Sequence, residues 1–92
     1  MNDETEIRII EAQYSAMKRG GLAMWTIYDH PSDFPHSYVA RRFEVRHGDA
    51  VPTRDIVQSD SLQAIRRSFR ICGLHCLTRN EEDDPKIVET WL

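Results

Sequence analysis

Asp60-Ser61-Leu62-Gln63-Ala64-Ile65-Arg66-Arg67-Ser68-Phe69-Arg70 is the stretch that decides the fold. Leu62, Ile65 and Phe69 recur at the spacing of one helix face, and Arg66, Arg67 and Arg70 flank that face. Asp60, with Gln63 three residues on, predicts a capping box at its start, and Gly73 predicts its end. A helix that is apolar along one side needs a surface to cover. The segments around it supply strands.

Upstream, Leu22 to Tyr28 is rich in aromatic and β-branched residues and reads as the first strand, with Trp25 and Ile27 on one face. The next strand is expected over about Ser37 to Arg46. There Val39, Phe43 and Val45 alternate with Tyr38, Ala40, Arg42 and Glu44, so the first set is expected to be buried and the second wet, with Arg41 breaking the apolar side. Between these strands, Asp29 to His36 carries two prolines and is too long for a tight turn, which predicts a wide, stiff loop. His47-Gly48-Asp49-Ala50 reads as a turn, and Pro52 to Gln58 supplies a third strand through Ile56 and Val57. Downstream, Leu74 to Thr78 and Lys86 to Leu92 read as two short strands around an acidic turn at Asn80 to Pro85. The expected architecture is α+β: a two-layer sandwich with a small antiparallel sheet of four or five strands packed by one helix, plus an N-terminal helix.

That N-terminal helix is expected within residues 2 to 19. Ile7, Ile10, Tyr14 and Met17 are spaced three, four and three apart, one amphipathic stripe, and Gly20-Gly21 stops it. Acids fill its first turns and Lys18 and Arg19 its last, as the helix dipole prefers. The helix docks on the sheet, binds a partner, or represents an upstream start. Residues 1–23 are therefore treated as an N-terminal helical extension and 24–92 as a single α+β domain.

With 92 residues, 40% of them apolar and 29% charged, the chain is too short for most large enzyme folds and too apolar to be wholly disordered. No apolar run approaches the length of a membrane span, and the acidic first dozen residues do not form a secretory signal, so no membrane association and a cytoplasmic location are expected. Charge is segregated. Residues 1 to 12 hold four acids against Arg8, residues 41 to 79 hold eight arginines against four acids, and residues 80 to 92 hold five acids against Lys86. A basic middle between acidic ends is either a solvated surface or a face for an acidic partner.

Four pieces carry a resemblance: Met24-Trp25-Thr26-Ile27-Tyr28, then Tyr38-Val39-Ala40-Arg41-Arg42-Phe43, then Asp60-Ser61-Leu62, and finally Asp83-Asp84-Pro85-Lys86-Ile87-Val88-Glu89-Thr90-Trp91-Leu92. Residues 24 to 92 thereby resemble a group of short bacterial proteins, many of which begin at the position of Met24. The resemblance implies one domain. It implies no activity, cofactor or site residue.

Candidate chemistry is sparse. Cys72, His75 and Cys76 offer three potential zinc ligands where a tetrahedral site wants four, and none of the usual paired spacings is present. In an extended segment the two cysteines lie about 13 Å apart, beyond the roughly 7 Å a disulfide allows. They are expected to be two buried, reduced thiols beside a surface histidine. Asp29, His30, Asp33 and His36 have the residue types for a general base or a divalent ion, but prolines and turn-forming aspartates already explain that loop as a connector. No phosphate-binding glycine loop or hydrolase motif is present. No catalytic residue, metal or cofactor is assigned.

A binding role remains. Tyr38, Arg42, Arg66, Arg67 and Arg70 are the expected binding face, guanidiniums with one flat ring. The expected function is a small non-enzymatic binding or regulatory module working through protein–protein contacts, self-association included. Nucleic-acid binding through an arginine-rich face of Arg41, Arg42, Arg46, Arg66, Arg67 and Arg70 with Tyr38 is the alternative, opposed by an isoelectric point near 5.7. A phage-type anti-defence inhibitor is a lesser one.

Overall fold

A computed structural model describes residues 3–78 and 84–92. In chain order the described elements are α1 (Asp3–Lys18), β1 (Leu22–Asp29), β2 (Tyr38–Arg46), β3 (Asp49–Ser59), α2 (Leu62–Ile71), β4 (Cys76–Thr78) and β5 (Ile87–Trp91). The strands form one antiparallel open sheet in the order β3-β2-β1-β5-β4. This is the expected α+β class. Residues 80–83 of the acidic turn lie outside the described residues.

Local chemistry explains where the elements begin and stop. The α2 helix is capped by Ser61 rather than Asp60: the Ala64 amide donates to Ser61 Oγ at 3.2 Å, so the cap falls one residue later than the Asp60–Gln63 box predicts. Both helices end in a Schellman pattern on a left-handed glycine. Gly73 (φ 82) donates to the Arg70 carbonyl while Leu74 donates to that of Phe69; Gly20 (φ 77) donates to Met17 while Gly21 donates to Ala16. The turn into β3 is shorter than expected. Arg46 already pairs with Asp49, leaving His47 and Gly48, both at positive φ, as a two-residue hairpin turn whose twist suits the strands it joins.

Register decides which sheet face is covered. Trp25 pairs with Arg42 and Ile27 with Ala40 across β1 and β2, so Tyr38, Ala40, Arg42 and Glu44 share the side of Trp25 and Ile27. That side lies beneath the helices. Ile9 of α1, Ile65 and Phe69 of α2, and Leu74 close over Trp25, Ile27, Ala40, Val57 and Trp91. The rings of Trp25 and Trp91 each sit 5.6 Å from Phe69 in tilted contacts. The sequence-based assignment of faces in β2 is thus corrected: the side expected to be wet is the helix-covered one. Arg42 and Glu44 tolerate it because each is ion-paired there. Val39 is buried on the opposite side, where Phe43 and Val45 are half-buried. Arg41, on that side too, pairs with Asp33 of the wide loop and lies over the Tyr28 and Phe34 rings at 5.7 and 6.0 Å.

Candidate interaction surface

Of the five residues expected to form a binding face, the structure engages three within the fold. Arg42 is 8% exposed, and its Nε and Nη2 reach Asp55 Oδ2 at 2.8 and 2.7 Å. Arg66 is spent on Glu89, with Nε and Nη2 donating to the carboxylate at 2.6 to 3.2 Å. Tyr38 is half-buried against the core and meets the His30 ring edge to face at 4.9 Å. Only Arg67 and Arg70 are exposed. Arg70 lies 5.7 Å over the Trp91 ring, and Arg67 lines an open groove of about 710 Å³ between α2 and the start of α1, where Asp3 and Glu6 oppose its charge. Among the described residues, four arginines of the basic middle, Arg41, Arg42, Arg46 and Arg66, are thus ion-paired within the fold.

The same internal pairing shapes the carboxylates. Glu44 sits among three guanidiniums, those of Arg19, Arg42 and Arg46. Donation from Arg19 is the main cause that holds its carboxyl at about 2, against the opposing pull of desolvation. Burial pushes the Glu89 carboxyl up, but donation from Arg66 and from Trp91 Nε1, at 2.7 Å, outweighs it and the net shift is downward. Both acids are fixed anions that lock elements together. Glu44 ties the end of α1 to β2, and Glu89 ties α2 to β5.

The residue types that hinted at chemistry are dispersed. Asp29 pairs with the neighbouring His30, Asp33 with Arg41, and His36 is exposed, so the four do not converge on one site. Cys72 is not on a strand: it is the C-cap of α2, its thiol donating to the Glu6 carbonyl at 3.5 Å. Cys76 lies on β4 and is exposed, which corrects the expectation of two buried thiols; both are free. Desolvation raises both thiol pKa values, the reverse of what a reactive thiolate needs. Among the described residues no three His, Cys, Asp or Glu side chains come together as a metal-holding group. No helix among them is long and apolar enough to cross a membrane.

The feature that stands out is α1. Its inward side is Ile9, Ala12 and Ala16, with Gln13 accepting from Trp25 Nε1 at 2.9 Å and donating to the Ala23 carbonyl at 3.3 Å. Arg8 adds a bond to the Ile56 carbonyl at 3.0 Å. The stripe picked out by spacing faces elsewhere: Ile7, Ile10, Tyr14 and Met17 are 54%, 52%, 57% and 64% exposed. Of the fates open to the helix, docking on the sheet is the one taken, but through Ile9, Ala12 and Ala16 rather than through the stripe. A helix already mounted by one face thus carries a second apolar face in solvent. Comparison with protein-family models, curated proteins and solved structures yields no match, so the functional reading rests on these residues alone.

Proposed function

We propose that this chain is a non-enzymatic binding module acting through protein–protein contact, with the outward stripe of α1 as its contact surface. The observation that carries the proposal is the exposure of Ile7, Ile10, Tyr14 and Met17 along one line of a helix whose other face is firmly held. Single exposed apolar side chains are ordinary, whereas four in register mark a surface built to be covered. The spacing matches that of helices that lay apolar anchors on another helix or into a groove.

The mount supports the same reading. Ile9 and Ala16 in the core, the Gln13–Trp25 bond and the Arg19–Glu44 pair hold α1 in place before any partner arrives, so little ordering entropy opposes binding. The dispersal of the loop's acids and histidines and the raised thiol pKa values favour a non-enzymatic role. Nucleic-acid binding ranks lower, because Arg42 and Arg66 already donate to Asp55 and Glu89.

Photocrosslinking tests the surface without knowing the partner. With benzoylphenylalanine in place of Tyr14, irradiation of cells expressing the chain is expected to yield discrete adducts. The same group in place of Arg54, exposed on β3, is expected to yield none. Absence of adducts from position 14 overturns the proposal.

A further inference from the structure

We infer that the partner seated on α1 is a second copy of the chain, with the two α1 helices side by side and antiparallel. This rests on the reading of α1 as the contact surface and names what occupies it. Positions 7, 10, 14 and 17 are successive a and d positions of a heptad, the seam along which two helices pack knobs into holes. The seam is also self-complementary. Reversed about its midpoint, Ile7 falls opposite Met17 and Ile10 opposite Tyr14, so one patch serves both copies of a twofold pair.

Charge selects the direction. Asp3, Glu4 and Glu6 fill the first turn of α1 and Lys18 the last. Among the described residues, none of these four enters an ion pair within its own chain. Antiparallel pairing brings the acidic start of each helix to the basic end of the other, twice per dimer, and opposes the two helix dipoles; parallel pairing would set acids against acids. In the antiparallel seam Glu4 flanks Lys18 of the other copy, while Glu11, next to the twofold axis, meets its own counterpart. That like-charge contact limits affinity. A 16-residue helix is only about 24 Å long, so the interface falls at the small end of specific contacts and the dimer is expected to dissociate in the micromolar range.

Sedimentation equilibrium of the full chain, from about 1 to 500 µM, tests this. A mass rising from 10.8 kDa toward twice that value is expected. Ile10→Glu and Tyr14→Glu should each raise the dissociation constant at least about tenfold, since each places a charge in an apolar seam, while leaving the urea midpoint unchanged at concentrations where the chain is monomeric, because both positions are exposed. Glu4→Lys and Lys18→Glu should each weaken pairing by a factor of about two to five, and the double variant should regain it. Glu11→Gln should tighten it. A chain that stays monomeric throughout, yet gives Tyr14-position adducts with a different protein, overturns the second copy and keeps α1 as the contact surface. Monomer without adducts overturns both. A dimer indifferent to Ile10→Glu and Tyr14→Glu pairs through another face and likewise overturns the inference.

Discussion

Arg42 shows how a charged residue comes to lie under a helix. Its neighbours in β2 alternate so evenly that Tyr38, Ala40, Arg42 and Glu44 read as a wet side, since two charges outweigh one alanine. What reverses that reading is cross-strand register with Trp25 and Ile27, which a single strand's pattern does not contain. Once Arg42 has Asp55 and Glu44 has Arg19, burial no longer leaves an isolated charge. Arg19, the residue after the end of α1, had no periodic signal to mark it. Glu44 gives a measurable consequence. Its folded-state pKa, about 2, lies below the ordinary 4.5, so its contribution to stability is complete above the ordinary value and is lost as pH falls toward the folded one. Glu44→Gln should therefore lower the urea midpoint at neutral pH. The gap from the unsubstituted chain should hold to about pH 5 and close between pH 4.5 and about 2. A gap independent of pH over that window would mean that the ion pairs at Glu44 contribute nothing.

At the scale of the element, α1 was legible as a helix and its outward stripe as a stripe, but not its orientation. Hydrophobicity favours Ile7, Ile10, Tyr14 and Met17 for the core, yet the helix turns its smaller residues inward. Ala12 and Ala16 let the helix axis approach the sheet closely, and Ile9 alone fills the space between. The adjacent isoleucines separate the two faces cleanly. Ile9→Ala should cost about 2 to 4 kcal/mol in urea unfolding, a buried methyl-rich side chain leaving a cavity. Ile10→Ala should change stability by less than about 0.5 kcal/mol. Equal losses at the two positions would place the wrong face on the core. The link from α1 to β1 is equally constrained: a Cβ at Gly21 would come within 3.0 Å of Arg46 Cγ and 3.1 Å of the Val45 carbonyl oxygen. The arginine can shift and the strand backbone cannot. Gly21→Ala is expected to destabilise by about 1 to 2 kcal/mol, whereas an unchanged midpoint would show that β2 yields there.

At the scale of the whole molecule, residues 24–92 read as a domain because the covering helix α2 and all but the first two strand residues fall within them, and periodicity along a chain says little about what a preceding segment contributes to the core. The packing gives α1 a structural part. Ile9 joins the cluster around Trp25, and Gln13 accepts from the indole nitrogen and donates to the Ala23 carbonyl. Beginning at Met24 also removes Leu22 and Ala23, which pair with Val45 and Glu44 at the start of β1, and leaves Glu44 without Arg19. Loss of the Ile9 contacts alone is worth about 2 to 4 kcal/mol, set against a total of about 5 to 15 kcal/mol for a small domain. An indole donor without its acceptor and a carboxylate without one guanidinium add to that loss. A chain of residues 24–92 should therefore unfold at a much lower urea concentration, or without a cooperative transition, and its tryptophan emission should shift to the red as Trp25 meets water. An unchanged midpoint and emission would make α1 an appendage. The two roles of α1 would then come apart, since a helix that the core does not hold cannot present a fixed seam to a partner.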